Sequence, residues 1–110
     1  KWQVNTIEVQ SYVFPVGLVY DTAYNAMETD YIDLSNKGEV NFYINGQSHT
    51  DTYDTTQYDL AKDSSVPVSN PDKLGSNYVL VTNANSNTPT LAESNFGIDT
   101  KSEILYKLKQ

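Results

Sequence analysis

Apolar and polar residues alternate most cleanly between residues 31 and 53. Ile32 and Leu34 alternate with Tyr31 and Asp33. The turn-forming run Ser35-Asn36-Lys37-Gly38 follows, and then Val40, Phe42 and Ile44 alternate with Glu39, Asn41 and Tyr43. A period of two on both sides of a Gly-bearing turn predicts a β-hairpin with one apolar face. Asn45-Gly46 comes next, and both residues tolerate the positive φ that a type I′ hairpin turn requires. The pattern thus predicts three consecutive antiparallel strands, with Ile32, Leu34, Val40, Phe42 and Ile44 on one buried face. Residues 57–60 are expected to add a short fourth strand after a kink at 54–56.

Elsewhere the alternation is weaker. Trp2 and Val4 share one parity while Ile7 and Val9 share the other, which predicts a first strand over 2–9 with a bulge near Asn5-Thr6. Phe14-Pro15-Val16-Gly17 interrupts it; Leu18-Val19-Tyr20 reads as a short strand, and Asp21 as the cap of one helical turn over 22–27. Residues 61–76 are turn chemistry throughout, and a loop of that length is functional or mobile. Strands are expected at 78–81, from Leu91 toward Ile98, and at 104–108. With no helical crossover long enough for a parallel sheet, the chain reads as one all-β domain over 1–110, an antiparallel meander. Its strands must close into an eight-stranded barrel or divide into a two-sheet β-sandwich. Pairing of the Trp2 strand with the Ile104–Leu108 strand would mark the barrel.

Composition supports this reading and removes some functions. Eleven Thr, eleven Asn, ten Ser and nine Tyr suit pleated surfaces and turns. Seven Lys, no Arg and fourteen acidic residues leave a net charge of −7, so the chain repels phosphate, and neither nucleic acid nor an anionic membrane is an expected partner. No apolar run approaches the ~18–20 residues of a helical membrane span. The absence of Cys excludes disulfides, thiol nucleophiles and thiolate metal sites. An acidic, Arg-free, Asn/Thr/Tyr-rich chain starting at Lys1 without Met is expected to be an exported bacterial protein: periplasmic, a cell-surface lipoprotein, or secreted.

Three pieces of the chain resemble the small bacterial lipocalin-like domains. Trp2-Gln3-Val4 is similar to the early Trp strand that plugs one barrel end, and YIDLSNKGEVNFYING resembles the strand-turn-strand arrangement of such domains. ILYKL is similar to the closing strand. The Arg that packs over that Trp in the family has no counterpart; Lys107 and Lys109 are the basic residues of the closing strand. The resemblance favours the barrel over the sandwich.

The chemistry-bearing residues give no catalytic motif. His49 is the sole His and lacks a nucleophile-elbow context. Asp51, Asp54 and Asp59 lack EF-hand spacing and read as a solvated acidic edge, as do Asp30/Asp33 and Asp63/Asp72. No metal or cofactor site is expected, and no enzyme. The tyrosines at 31 and 43 should face away from the core. The turn at Asn45-Gly46 decides one further point. A two-residue turn pairs Phe42 with His49 and Val40 with Asp51, so that His49, Asp51 and Tyr53 face inward; a three-residue turn turns Ser48, Thr50 and Thr52 inward. The first register makes His49, Asp51, Tyr53, Phe42 and Trp2 the expected ligand wall. The expected function is non-catalytic binding of one small apolar or amphipathic ligand in a barrel. The alternative is a sandwich module holding a surface glycan or protein through exposed Tyr and Asn residues.

Overall fold

A computed structural model describes all 110 residues. It contains nine strands and no helix: β1 (Trp2–Val13), β2 (Gly17–Asn25), β3 (Tyr31–Asp33), β4 (Glu39–Ile44), β5 (Gln47–Thr52), β6 (Val66–Val68), β7 (Ser76–Thr82), β8 (Thr90–Gly97) and β9 (Thr100–Lys109). Eight of them form the wall in the order β5-β4-β3-β1-β9-β8-β7-β6, with every neighbouring pair antiparallel. The first and last strands pair from Gln3↔Lys109 to Val13↔Thr100, which is the barrel solution rather than the sandwich. The edges β5 and β6 approach but form only one bridge, between Thr52 and Ser69. The protein is therefore a nearly closed eight-stranded barrel with one unsealed seam.

β1 is long enough to hold two partners along one edge. Trp2 and Gln3 pair with β3, and Thr6 to Val13 pair with β2. The change of partner falls at the expected bulge, where the register shifts between Val4 and Thr6 and the Asn5 carbonyl accepts the Ala26 N–H at 3.0 Å. Both Val4 and Ile7 are thereby buried despite their opposite parity. The core contains Val4, Ile7, Ile32, Val40, Phe42, Val66, Val68, Val79, Leu91, Tyr106 and Leu108. Of the five residues expected on one buried face, Ile32, Val40 and Phe42 are fully enclosed; Leu34 and Ile44 pack at its margin.

Several local expectations are corrected. Residues 18–27 hold no helical turn; β2 runs through Asp21 to Asn25 and is exposed almost throughout. The 57–60 segment is a series of turns, because Asp54 accepts the Thr56 N–H and Asp59 accepts the Ala61 N–H, capturing the backbone donors that a strand would use. The 61–76 stretch includes β6, where Pro67 is tolerated on a strand with one open edge. Asp30 is no solvated residue: it is 2% exposed and its two oxygens accept the Met27 and Asn45 N–H groups at 3.0 and 2.8 Å, tying the β2–β3 connection to the β4–β5 turn. Tyr31 and Tyr43 do face outward, stacked with ring centroids 4.4 Å apart and with the Lys1 ammonium 4.1 Å over the Tyr31 ring.

Candidate functional site

The β4–β5 hairpin adopts the two-residue turn. Asn45 and Gly46 take positive φ values of 54° and 76°, and the register runs Ile44↔Gln47, Phe42↔His49 and Val40↔Asp51. His49 and Asp51 consequently share the inner face with Phe42 and Val40. The His49 ring lies flat on Phe42, with centroids 4.3 Å apart and planes within 9°. This stacking sets the plane of the imidazole and directs Nε2 to Glu93 Oε2 on β8, 3.0 Å away. Glu93 faces inward because it pairs with Val79 on one side and Ile104 on the other, both on the core side of their strands.

Asp51 and Glu93 are 1% and 3% exposed, which is unusual for two carboxyls in one interior. Their partners come from the loop that follows β6. Asn70, also buried, donates its amide to Asp51 Oδ1 at 2.7 Å, and the Lys73 ammonium stands 3.6 Å from Glu93 Oε1. Ligand-capable atoms of His49, Asp51 and Glu93 all lie within 4.8 Å of one another. Asp51 Oδ2 and Glu93 Oε1 meet no backbone donor and no donor from a third side chain within hydrogen-bonding distance.

Electrostatics divides the two carboxyls. Burial, and then the facing Glu93, push Asp51 up to about 8, against a smaller opposing effect of Asn70 and Lys73. Glu93 suffers the same burial, but the hydrogen bonds with His49 and Asp51, together with the Lys73 charge, outweigh it and hold this group well below the ordinary carboxylate range. Two facing carboxylates in a low-dielectric interior cannot both remain bare, so one retains its proton unless a cation replaces it. Tyr106, behind Phe42 at a centroid distance of 5.3 Å, is pushed up by its burial and by the Glu93 charge, and stays a neutral phenol.

The remaining expected wall residues lie elsewhere. Trp2, at one end of the barrel, borders a depression of about 170 Å³ with Leu34, Leu60, Ala61, Val81, Ala84, Pro89 and Leu108. Tyr53 follows the end of β5 and lines a separate shallow depression with Tyr58 and Pro67. Asp54 and Asp59, grouped by sequence with Asp51, are occupied in exposed turns. Glu93, Asn70 and Lys73 were not anticipated. The inward position of Glu93 is visible only as the period-two row Leu91, Glu93, Asn95, and its meaning depends on a partner 44 residues away. A larger open groove of about 460 Å³ lies on the outer face of β7–β9, over Tyr78, Leu80, Phe96 and Lys101.

No family model matches this chain, and the searches of curated proteins and of solved structures give no match either.

Proposed function

We propose that the protein is a small lipocalin-like binding barrel, non-catalytic, that takes the apolar part of one small amphipathic ligand at its Trp2 end. The observation that carries this reading is the depression of about 170 Å³ beside Trp2, whose eight lining residues include no charged side chain and no hydroxyl. A dry apolar space of roughly 150 Å³ is large enough for a single aromatic ring. The depression lies where the barrel end meets the turns that hold Leu60 and Ala61 and the loop that holds Ala84 and Pro89. A ligand there would exclude water from the partly exposed Trp2, Leu60 and Val81 without disturbing the packed interior. The compositional case for an exported protein agrees with a carrier or sensor of such molecules.

Trp2 is the single Trp and a direct reporter. Titration with a small apolar fluorescent probe should change its emission saturably, and Ala84→Phe, which fills the depression, should weaken that binding at least tenfold. An emission spectrum unchanged up to the solubility limit of the probe would remove the reading.

The outer groove supports a second reading, binding of a glycan. Tyr78 and Phe96 meet edge to face at 5.7 Å, beside the Lys101–Glu103 ion pair and the Ser94 hydroxyl that donates to Glu103. Aromatic faces next to polar groups suit a sugar ring. Loss of glycan binding in Phe96→Ala, with the Trp2 response intact, would favour this reading over the first.

A further inference from the structure

The interior polar cluster is separate from the Trp2 depression and has a chemistry of its own. Three features distinguish it from a pair of carboxyls that merely stabilise the fold. First, the donor set converges: one imidazole nitrogen and two carboxylates from β5 and β8 lie within 4.8 Å of one another. Donors bound to one ion at about 2.0–2.2 Å stand roughly 3–3.5 Å apart, so the 3.0 Å between His49 Nε2 and Glu93 Oε2 already has that spacing. Second, Asp51 Oδ2 and Glu93 Oε1 are buried with no backbone or other side-chain donor in hydrogen-bonding distance, so without an ion these two carboxyls have only a shared proton to join them. Buried carboxylate oxygens are ordinarily paired, and an unsatisfied one is costly.

Third, the surroundings position these groups as the outer ring of a metal site does. Asn70 fixes the other Asp51 oxygen at 2.7 Å, and Phe42 sets the imidazole plane. The cluster is also close to solvent on one side. It lies behind the unsealed edge; its contacts Asn70 and Lys73 line an open depression of the 69–77 segment, and the His49 side chain keeps 26% of its surface exposed.

We propose that His49, Asp51 and Glu93 bind one divalent first-row transition-metal ion inside the barrel, reached through the β5/β6 seam. One imidazole and two carboxylates suit Zn²⁺, Mn²⁺ or Fe²⁺; Ca²⁺, which takes 6–8 oxygens, is poorly served by three ligand groups that include a nitrogen. The two carboxylates neutralise the ion. Lys73, partly exposed and only ion-paired to Glu93, occupies the electrostatic place of the ion in the metal-free protein and can swing outward when the ion enters.

The test is calorimetric titration of the full chain, stripped with chelator, with Zn²⁺ and separately with Mn²⁺ and Ca²⁺ at neutral pH. One saturable site per chain is expected for Zn²⁺ or Mn²⁺, with Ca²⁺ at least tenfold weaker. Asp51→Asn and Glu93→Gln conserve shape and should each weaken binding tenfold or more, while Asp54→Asn should leave it unchanged. Lys73→Ala removes a competing positive charge and should tighten binding, a direction opposite to that of general damage to the fold. The Co²⁺ form should show a visible absorption band that His49→Ala alters. Absence of saturable binding by all of the ions, or binding that survives in both Asp51→Asn and Glu93→Gln, would overturn the proposal. A circular dichroism spectrum for each variant separates loss of the site from loss of the fold.

Discussion

The two sides of this barrel are built differently. Where β1, β9 and β8 meet, the ladders run unbroken over most of their length, and the inward residues are Val4, Ile7, Leu91, Tyr106 and Leu108. Where β5 meets β6, the wall is joined by a single bridge, with Thr52 and Ser69 exchanging N–H···O bonds of 3.0 and 2.8 Å. Behind that seam the interior holds His49, Asp51, Glu93 and Asn70 in place of aliphatic side chains. An apolar interior requires only exclusion of water. A polar interior needs specific partners, and here they come from the loop that follows β6 and lies against the seam. The polar groups thus lie behind the one stretch of wall that is joined by a single bridge.

The sharpest way to break the comparison is on the apolar side. Phe42 joins the two sides, touching Tyr106 on one and His49 on the other. Phe42→Ala should lose about 3–5 kcal/mol of unfolding free energy, from transfer and cavity effects together, as read by urea denaturation. A loss below about 1 kcal/mol would mean that the ring does not fill the core. Next in size is Asp30→Ala, which leaves the Met27 and Asn45 N–H groups without their acceptor and should cost about 1–3 kcal/mol in the same experiment. No change would show that water replaces the carboxylate freely.

The seam side has its own signature in pH. The carboxyl of Asp51 is raised in the folded state, from 3.8 to about 8, by burial and by Glu93, while His49, Asn70, Lys73 and the neutral Tyr106 complete its surroundings. The folded chain therefore holds a proton there that the unfolded chain releases. That contribution is fully present below about pH 4 and is lost as pH rises toward 8, the reverse of an ordinary ion-paired carboxylate. In metal-free protein the thermal midpoint should accordingly fall across this window, and Asp51→Asn, which keeps the neutral form, should flatten the fall. Identical profiles for the two proteins would show that Asp51 is ionised and solvated. The smallest effect belongs to the outer surface. Tyr43→Ala removes the stack on Tyr31 and should cost about 0.2–1 kcal/mol, measured by chemical denaturation. A larger loss would place that ring in the core.

Legibility in the sequence follows the same division. The β3–β4–β5 meander was readable because its inner face is buried and its outer face wet, so alternation is strict and Asn45-Gly46 has the conformational freedom its turn uses. The same turn chemistry offered the register that puts His49 and Asp51 inward but left the three-residue alternative open and Asp51 read as part of a solvated edge; the structure takes the two-residue turn, and Asp51 is buried. β2 was unreadable because it pairs only with β1 and is wet on both faces, which removes the alternation and left Asp21 resembling a helix cap. β6 was concealed by Pro67 within a run of turn residues. Glu93 was missed for a different reason. An inward Glu is recognisable only beside its partners, and His49, Asn70 and Lys73 come from distant segments joined by the closing of the barrel. Local pattern reports which face is buried; it does not report which faces meet.

The difference between the sealed and unsealed sides is most directly measured by residue-resolved amide hydrogen exchange in the metal-free protein. β9, held between β1 and β8, should exchange only by global unfolding. The Thr52 and Ser69 amides, although hydrogen-bonded, should exchange far faster through local opening of the single bridge. Protection at Thr52 and Ser69 equal to that of β9 would contradict the account, because the wall would then be closed all the way round.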